Sequence, residues 1–351
     1  MVYRIRAADR TAFKRCRRAW DLGSRNRRNH EPVDDRGADL DRGLHDALAV
    51  YYFPGMWEWN RAIVQPLVHQ ALDRSLAAQP GADEQLRTRG HALLDAYAAW
   101  APALDRFTPV MINSDVEVSI PDPETPDRDL ATTEGDAIRY TDRVDLLVID
   151  DDDIYWSVQH RLVTDDWAEQ DDLLLDERTA AWCWAWPLHY LGMRLAGTIF
   201  NEIWIDADAD AELPGPLAAH RAGHRRMYAR AGELPRERVR MEGTDVFRRT
   251  RIVRSDAELG AVGRDMAAEA RAATDPAVGV YPSPAPEVCG SCAYRPPCLV
   301  MAEGADPARV LAADYRQREP EGIEEGRLGG ATWSMNRGAA PPDWARRNPH
   351  T

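Results

Sequence analysis

A chain of 351 residues is long enough for one large domain or two ordinary ones with a sizeable core. Its 44% hydrophobic content is that of a globular protein, and the absence of any run of 18 apolar residues excludes a membrane-spanning helix. The net charge of −14 argues against a nonspecific nucleic-acid coat protein, although residues 1–30 carry ten bases against only Asp9 and Asp21.

The opening segment MVYRIRAADR lacks the apolar stretch of a signal peptide, so a cytoplasmic location is expected, where thiols stay reduced and cysteines serve more often as metal ligands than in disulfides. The periodicity predicts a helix over 9–22, with Ala12, Phe13, Cys16, Ala19 and Trp20 on one stripe. Further helices are expected at about 38–52, 57–78 and 83–101. Residues 106–119 then read as a strand, and Pro121–Asp129 as a turn or loop. Apolar and polar residues alternate over 139–149 and 154–163 around four consecutive aspartates, Asp150–Asp153, which suits a hairpin with a solvated turn. A long helix is expected at about 172–192, a strand at 198–205 and another helix at 255–273. A second basic stretch, Arg221 to Arg254, has eleven arginines against four acids. Such a stretch is a phosphate-attracting face or simply a solvated one. The end of the chain, 316–351, is rich in Gly, Pro, Arg and Glu and is expected to be extended or poorly ordered.

Cys289-Gly-Ser-Cys292-Ala-Tyr-Arg-Pro-Pro-Cys298 sets three thiols at short spacings in a Pro/Gly-rich loop, a pattern suited to zinc or an iron–sulfur cluster given a fourth ligand. Cys16, within the basic segment TAFKRCRRAW, is the candidate fourth, whereas Cys183 in the apolar segment WCWAW reads as a core residue.

A single cysteine near the start and C-x2-C-x5-C near the end resemble the frame of the RecB-like exonucleases of the PD-(D/E)XK superfamily, which include CRISPR-associated iron–sulfur nucleases and AddB-type nuclease domains. The resemblance covers roughly residues 3–315 and implies a [4Fe–4S] cluster on Cys16, Cys289, Cys292 and Cys298, with zinc as the alternative. It also implies an α/β fold, a mixed sheet flanked by helices, in one domain over 1–315. That domain would comprise an N-terminal helical part (1–103), a sheet core (104–210) and C-terminal helices with the cysteine loop (211–315).

Between the cysteines, Gly43-Leu44-His45 matches the family's histidine-bearing helix, Glu117 its acidic strand residue, and Asp142-Arg143-Val144-Asp145 the strand whose aspartate holds the metal. The resemblance thus implies Mg²⁺ or Mn²⁺ on His45, Asp145 and the residue at 159. Four positions depart from the family. The E-x-K strand reads Gln159-His160-Arg161, and Q-x-x-x-Y reads Arg178-x-x-x-Trp182. Gln159 retains an oxygen ligand with one negative charge fewer, which weakens divalent-ion binding. Arg161 stays protonated and cannot act as a base, though it can orient water or neutralise phosphate.

The expected function is therefore a nucleic-acid-binding homologue with a degenerate catalytic site, a subunit of DNA processing or defence that contacts single strands or duplex ends and can work beside a partner protein. Lys14, Arg15, Arg17, Arg18, Arg178 and Trp182 are the expected nucleic-acid contacts. An active Mg²⁺- or Mn²⁺-dependent exonuclease and a protein-interaction scaffold are the alternatives.

Overall fold

The computed structural model describes residues 2–33, 39–125, 127–164, 166–205 and 239–318. The expected helix over 9–22 is two helices, α1 (Ala7–Arg15) and α2 (Arg17–Gly23), broken where Cys16 takes an extended conformation, φ −162° and ψ 113°. The break turns α2 so that Trp20 meets Phe13 edge-to-face at 4.9 Å, which buries both rings. They are preceded by strand β1 (Val2–Arg6) and followed by β2 (His30–Pro32).

Three longer helices come next, α3 (Leu40–Tyr51), α4 (Arg61–Ala77) and α5 (Glu84–Trp100), close to their expected bounds. Each starts at a residue whose side chain accepts a first-turn N–H: Asp39, Asn60 and Asp83 respectively. The sheet then begins with β3 (Phe107–Ser119), β4 (Ala137–Asp150) and β5 (Tyr155–Val163). The Asp150 carboxylate accepts the N–H groups of Asp152 and Ile154 at 3.0 Å each, so the aspartate run closes the β4–β5 hairpin as expected.

The expected helix at 172–192 is also two pieces, α6 (Gln170–Leu174) and α7 (Glu177–His189), because Asp176 caps a fresh start by accepting the Thr179 N–H at 2.8 Å. Strand β6 (Leu195–Trp204) is followed by β7 (Val239–Gly243), β8 (Phe247–Val253) and helix α8 (Asp256–Thr274), whose Ser255 and Glu258 form a capping box. The described chain ends with α9 (Pro286–Cys289), α10 (Arg295–Ala302), α11 (Ala308–Asp314) and β9 (Tyr315–Gln317). β9 pairs antiparallel with β2, so the start of the expected tail is ordered strand, and the tail from 319 lies outside the described residues.

The chain is α/β, with a mixed sheet flanked by helices. The sheet order is β1-β4-β5-β6-β8-β7 with β3 on the other edge of β4. β1/β4 and β5/β6 are parallel, and the other pairs are antiparallel. The sheet draws on β1, β7 and β8 and so extends beyond 104–210. Helices α3–α5 cover one face, where Leu44, Leu48 and Leu72 pack with Leu146 and Val158. Helices α7 and α8 cover the other, where Trp182, Trp186 and Met266 pack with Tyr140 and Val144. Each such side chain contributes roughly 1.5–3 kcal/mol by leaving water.

One irregularity positions the site. β4 pairs with β1 up to Thr141 and with β5 only from Leu146, so residues 142–145 have no strand partner on that edge. Opposite them, β3 carries Asn113 at φ +46°, and Asn113 and Asp145 drop out of the β3–β4 register. The facing alternation slips here: Val144 packs on the α7 side and Leu146 on the α3 side. The sheet forks at Asp142–Asp145.

Candidate functional site

The fork holds two carboxylates with different surroundings. Asp145 lies towards α3. One of its oxygens, Oδ2, accepts the backbone N–H of His160 at 3.1 Å and stands 4.0 Å from Nδ1 of His45. His45 Nε2 is in turn 3.7 Å from Asp41. Burial raises the Asp145 pKa, and His45 and Arg178 oppose that rise. His45, Asp145 and His160 share a narrow cleft with Tyr52 and Asn113. The expected pairing of His45 with Asp145 is thus present in space.

His160 is the site residue that the sequence alone did not single out. Its ring stacks on Tyr52 at 5.8 Å and meets His45 edge-on at 5.9 Å. Its Nδ1 lies 2.9 Å from Nδ2 of Asn201, whose Oδ1 accepts from Tyr97 Oη at 3.1 Å and Arg249 Nε at 3.2 Å. Because both donors hold the Asn201 oxygen, its amide nitrogen faces His160, and the imidazole accepts at Nδ1 and carries its proton on Nε2. Burial drives the His160 pKa well below its ordinary value, with His45 and Arg249 adding to the effect. Behind it, Arg249 pairs with the buried Asp105 and donates to Tyr52 Oη at 2.7 Å. This fully engaged network fixes the back wall of the cleft.

Gln159 leaves β5 on the opposite face, since alternation along the strand sends Trp156, Val158 and His160 towards α3. Its Oε1 is buried and has no hydrogen-bond partner among the described residues. Arg161 shares that face, with its guanidinium 5.9 Å from the Phe200 ring.

Asp142 faces α7. Arg178 grips it with Nε to Oδ2 at 3.0 Å and Nη2 to Oδ1 at 3.1 Å. Trp182 Nε1 donates to Oδ2 at 2.7 Å, Tyr140 Oη at 3.3 Å, and the Arg143 N–H donates to Oδ1 at 2.9 Å. Arg178 and Trp182, two of the positions that depart from the family pattern, therefore serve one carboxylate. Trp182, named among the expected nucleic-acid contacts, is fully buried: its ring belongs to the core and its N–H to Asp142.

These residues do not suit the divalent ion that the resemblance implies. Hard cations draw on carboxylate charge. The charge of Asp142 is cancelled by Arg178, Gln159 is neutral, and Asp145 alone remains. Glu117 is held by Arg4 and Arg139, whose pull outweighs burial and lowers its pKa. Among the described residues no group of three or more His, Cys, Asp or Glu side chains is arranged to hold a metal ion.

The chain's two ends meet away from the fork. The Arg18 N–H donates to Tyr281 O at 3.0 Å and Arg15 Nη2 to Val288 O at 3.3 Å. Arg18 Nη1 reaches Cys298 O at 3.4 Å and lies 3.6 Å from its sulfur. The residues flanking Cys16 thus dock on the loop bearing the other three cysteines. All four thiols are unpaired and half-buried, while Cys183 is fully buried. Cysteines at this spacing are of the kind that zinc or an iron–sulfur cluster uses, but among the described residues the four are not grouped around one point.

Among the described residues most bases of the two stretches are paired internally. Lys14, an expected phosphate contact, pairs with Glu177 and Glu269, and Arg10 also pairs with Glu269. In the described part of the second stretch, Arg240, Arg248, Arg249, Arg251 and Arg254 pair with Glu242, Glu202, Asp105, Asp150 and Glu258. Residues 221–238 lie outside the described residues. Among the described residues Arg15, Arg17 and Arg18 have no carboxylate partner; Arg15 and Arg18 contact the cysteine loop, and the Arg17 guanidinium sits over the Phe13 ring.

No protein-family model matches this chain, and no curated protein matches it. A solved structure described as "Crystal structure of SSO0001" is similar at 8% identity over 71% of this chain and 82% of that one, with a TM-score of 0.27. Among the described residues no helix is long and apolar enough to cross a membrane.

Proposed function

We propose that this chain is a nucleic-acid-binding protein of the RecB-like nuclease type with a degenerate hydrolytic centre, working in a DNA-processing or defence-associated assembly. The observation that carries the reading is the fork in β4. There Asp145 and His45 stand together as in a nuclease centre, while Asp142 is neutralised by Arg178. The nucleic acid would bind through Arg15, Arg17 and Arg18, whose charges no carboxylate among the described residues cancels, and phosphate contacts of this kind give affinity without sequence preference. Cys16, Cys289, Cys292 and Cys298 would hold an iron–sulfur cluster whose role is to tie the chain ends together.

The test is fluorescence anisotropy with a single-stranded oligonucleotide and a tailed duplex over a range of salt, followed by digestion assays with Mg²⁺ and Mn²⁺ on the same sample. Binding is expected to weaken as salt rises and to fall several-fold in Arg17→Glu, with no digestion. Metal-dependent digestion abolished in Asp145→Ala would instead make the chain an active exonuclease. No binding at low salt would make it a protein-interaction scaffold.

A further inference from the structure

We propose that residues 166–176 form an acidic strap closed over a seat for single-stranded nucleic acid on β5, β6 and β8, and that a strand enters this seat when the strap lifts. The proposal rests on the nucleic-acid-binding reading and adds to it a second contact surface with its own cover.

Side chains at paired positions of adjacent strands share a face. The pairings Gln159–Phe200, Arg161–Glu202, Phe200–Thr250 and Glu202–Arg248 therefore put these residues on one side of the sheet. The strap lies across them. Leu173, in α6, is fully buried against Phe200 and Ile252, and it is the strap's only buried side chain. Arg248 Nη2 donates to Ala168 O at 2.6 Å and Arg254 Nη2 to Leu173 O at 3.1 Å. The outer side of the strap carries Asp166, Glu169, Asp171 and Asp172, all exposed.

The polar groups beneath mark the strap as a cover. Gln159 Oε1, Glu202 Oε1 and Thr250 Oγ1 are buried there with no hydrogen-bond partner among the described residues. Gln159 is 8% exposed, and Glu202 and Thr250 are 0% exposed. Such groups lose hydration while covered and regain it on opening, which offsets part of what Leu173 contributes by burial. Lifting uncovers the Phe200 ring, with the Arg161 guanidinium 5.9 Å away and the Gln159 amide and Thr250 hydroxyl on the same face. Arg161 has no carboxylate partner among the described residues. A ring for a base to stack on, beside a cation for phosphate, is the chemistry of a single-strand seat. With the strap down, its outer carboxylates repel a polyanion instead. Lys14 pairs with Glu177, the residue after the strap, so the covered face adjoins the segment that bears Arg15, Arg17 and Arg18.

The experiment has two parts, both on the full chain. Hydrogen exchange without nucleic acid reports on the strap alone, and the amides of 166–176 are expected to exchange several-fold faster than those of β5 and β6. Anisotropy of a labelled single-stranded oligonucleotide then compares the native protein with Leu173→Ser, which weakens the strap's hold. The variant is expected to bind about tenfold more tightly, the gain that one stacked base provides. Adding Arg161→Gln is expected to remove that gain. Leu173→Ala loosens the strap more mildly and carries the same comparison if Leu173→Ser does not fold. Strap amides as slow as those of β5 and β6 would overturn the proposal. So would an affinity that loosening the strap leaves unchanged, or a gain that survives Arg161→Gln. In those cases native binding that Arg17→Glu weakens keeps the nucleic-acid reading, whereas no binding by any of these proteins at low salt overturns both.

Discussion

His160 shows how much one side chain's surroundings can fix. Its Nδ1 accepts from an amide that two other donors hold in orientation, and burial keeps the ring neutral. Its folded pKa lies below that of the unfolded chain, about 6.5. Between those two values the unfolded chain takes up a proton that the folded chain does not. Stability conferred by neutral His160 is therefore complete above about pH 6.5 and declines as pH falls, by up to about 1.4 kcal/mol per pH unit. His160→Asn, which keeps an acceptor near Asn201, should be less stable at neutral pH and show a flatter dependence between about pH 6.5 and 5. Urea unfolding of both proteins across that range checks it; identical slopes would sink the assignment. Of the site residues, His45 and Asp145 were legible because a family frame places them in order. The tie between Asp142, Arg178 and Trp182 was not, since it joins side chains 36 to 40 positions apart and depends on how α7 leans over the fork. Nothing in the structure supplies a partner, among the described residues, for the buried acceptor of Gln159.

At the scale of elements, the long helices and the β4–β5 hairpin were readable because periodicity and turn residues are local properties. The missed strands had concealed signals. β8 reads FRRTRIV, whose arginines look like a solvated face until Glu202 and Asp105 are seen to neutralise two of them. The Cys16 break was equally hidden, because Phe13 and Trp20 fit one helical stripe when their mutual contact is unknown. The joint between α2 and the cysteine loop is tight at one point. A Cβ on Gly23 would lie 2.3 Å from Tyr294 Oη, which itself donates to His30 O at 2.8 Å, and the Tyr294 ring stacks on Tyr315 at 5.8 Å. Gly23→Ala must push this aromatic ring away, at a cost of about 1–3 kcal/mol typical of overpacking. Hydrogen exchange should quicken over 286–317 and leave β4–β6 unchanged. Tyr294→Phe removes the nearest atom, so the double variant should recover part of the loss. An unaltered exchange pattern in Gly23→Ala would mean that the loop is not held by this contact.

For the whole molecule, the decisive question is what holds the two ends together. β1 is laid parallel to β4 in the sheet, β2 pairs with β9, and the Arg15–Arg18 segment is bonded to the cysteine loop, so strand pairing and hydrogen bonds already join the two ends. A cluster on Cys16, Cys289, Cys292 and Cys298 would add to it a bond set spanning nearly the whole chain. Closing so long a loop restricts the unfolded state by an amount on the order of 5 kcal/mol in the chain-entropy model. The two contributions predict a specific pattern. Protein purified without oxygen should carry iron and sulfide with broad visible absorption. Cys16→Ser should lose that absorption and still fold, because the pairing of β2 with β9 and the Tyr294 contacts remain, but with a melting temperature lower by many degrees. Cys183→Ser, altering a thiol buried against Thr198 in the α7 core, should keep the chromophore. Bound zinc in place of iron would leave the closure argument standing and replace the cofactor. An anaerobic preparation free of either metal, or a Cys16→Ser protein as deeply coloured and as heat-resistant as the native one, would remove Cys16 from the joint and leave the strands and aromatic contacts as its sole support.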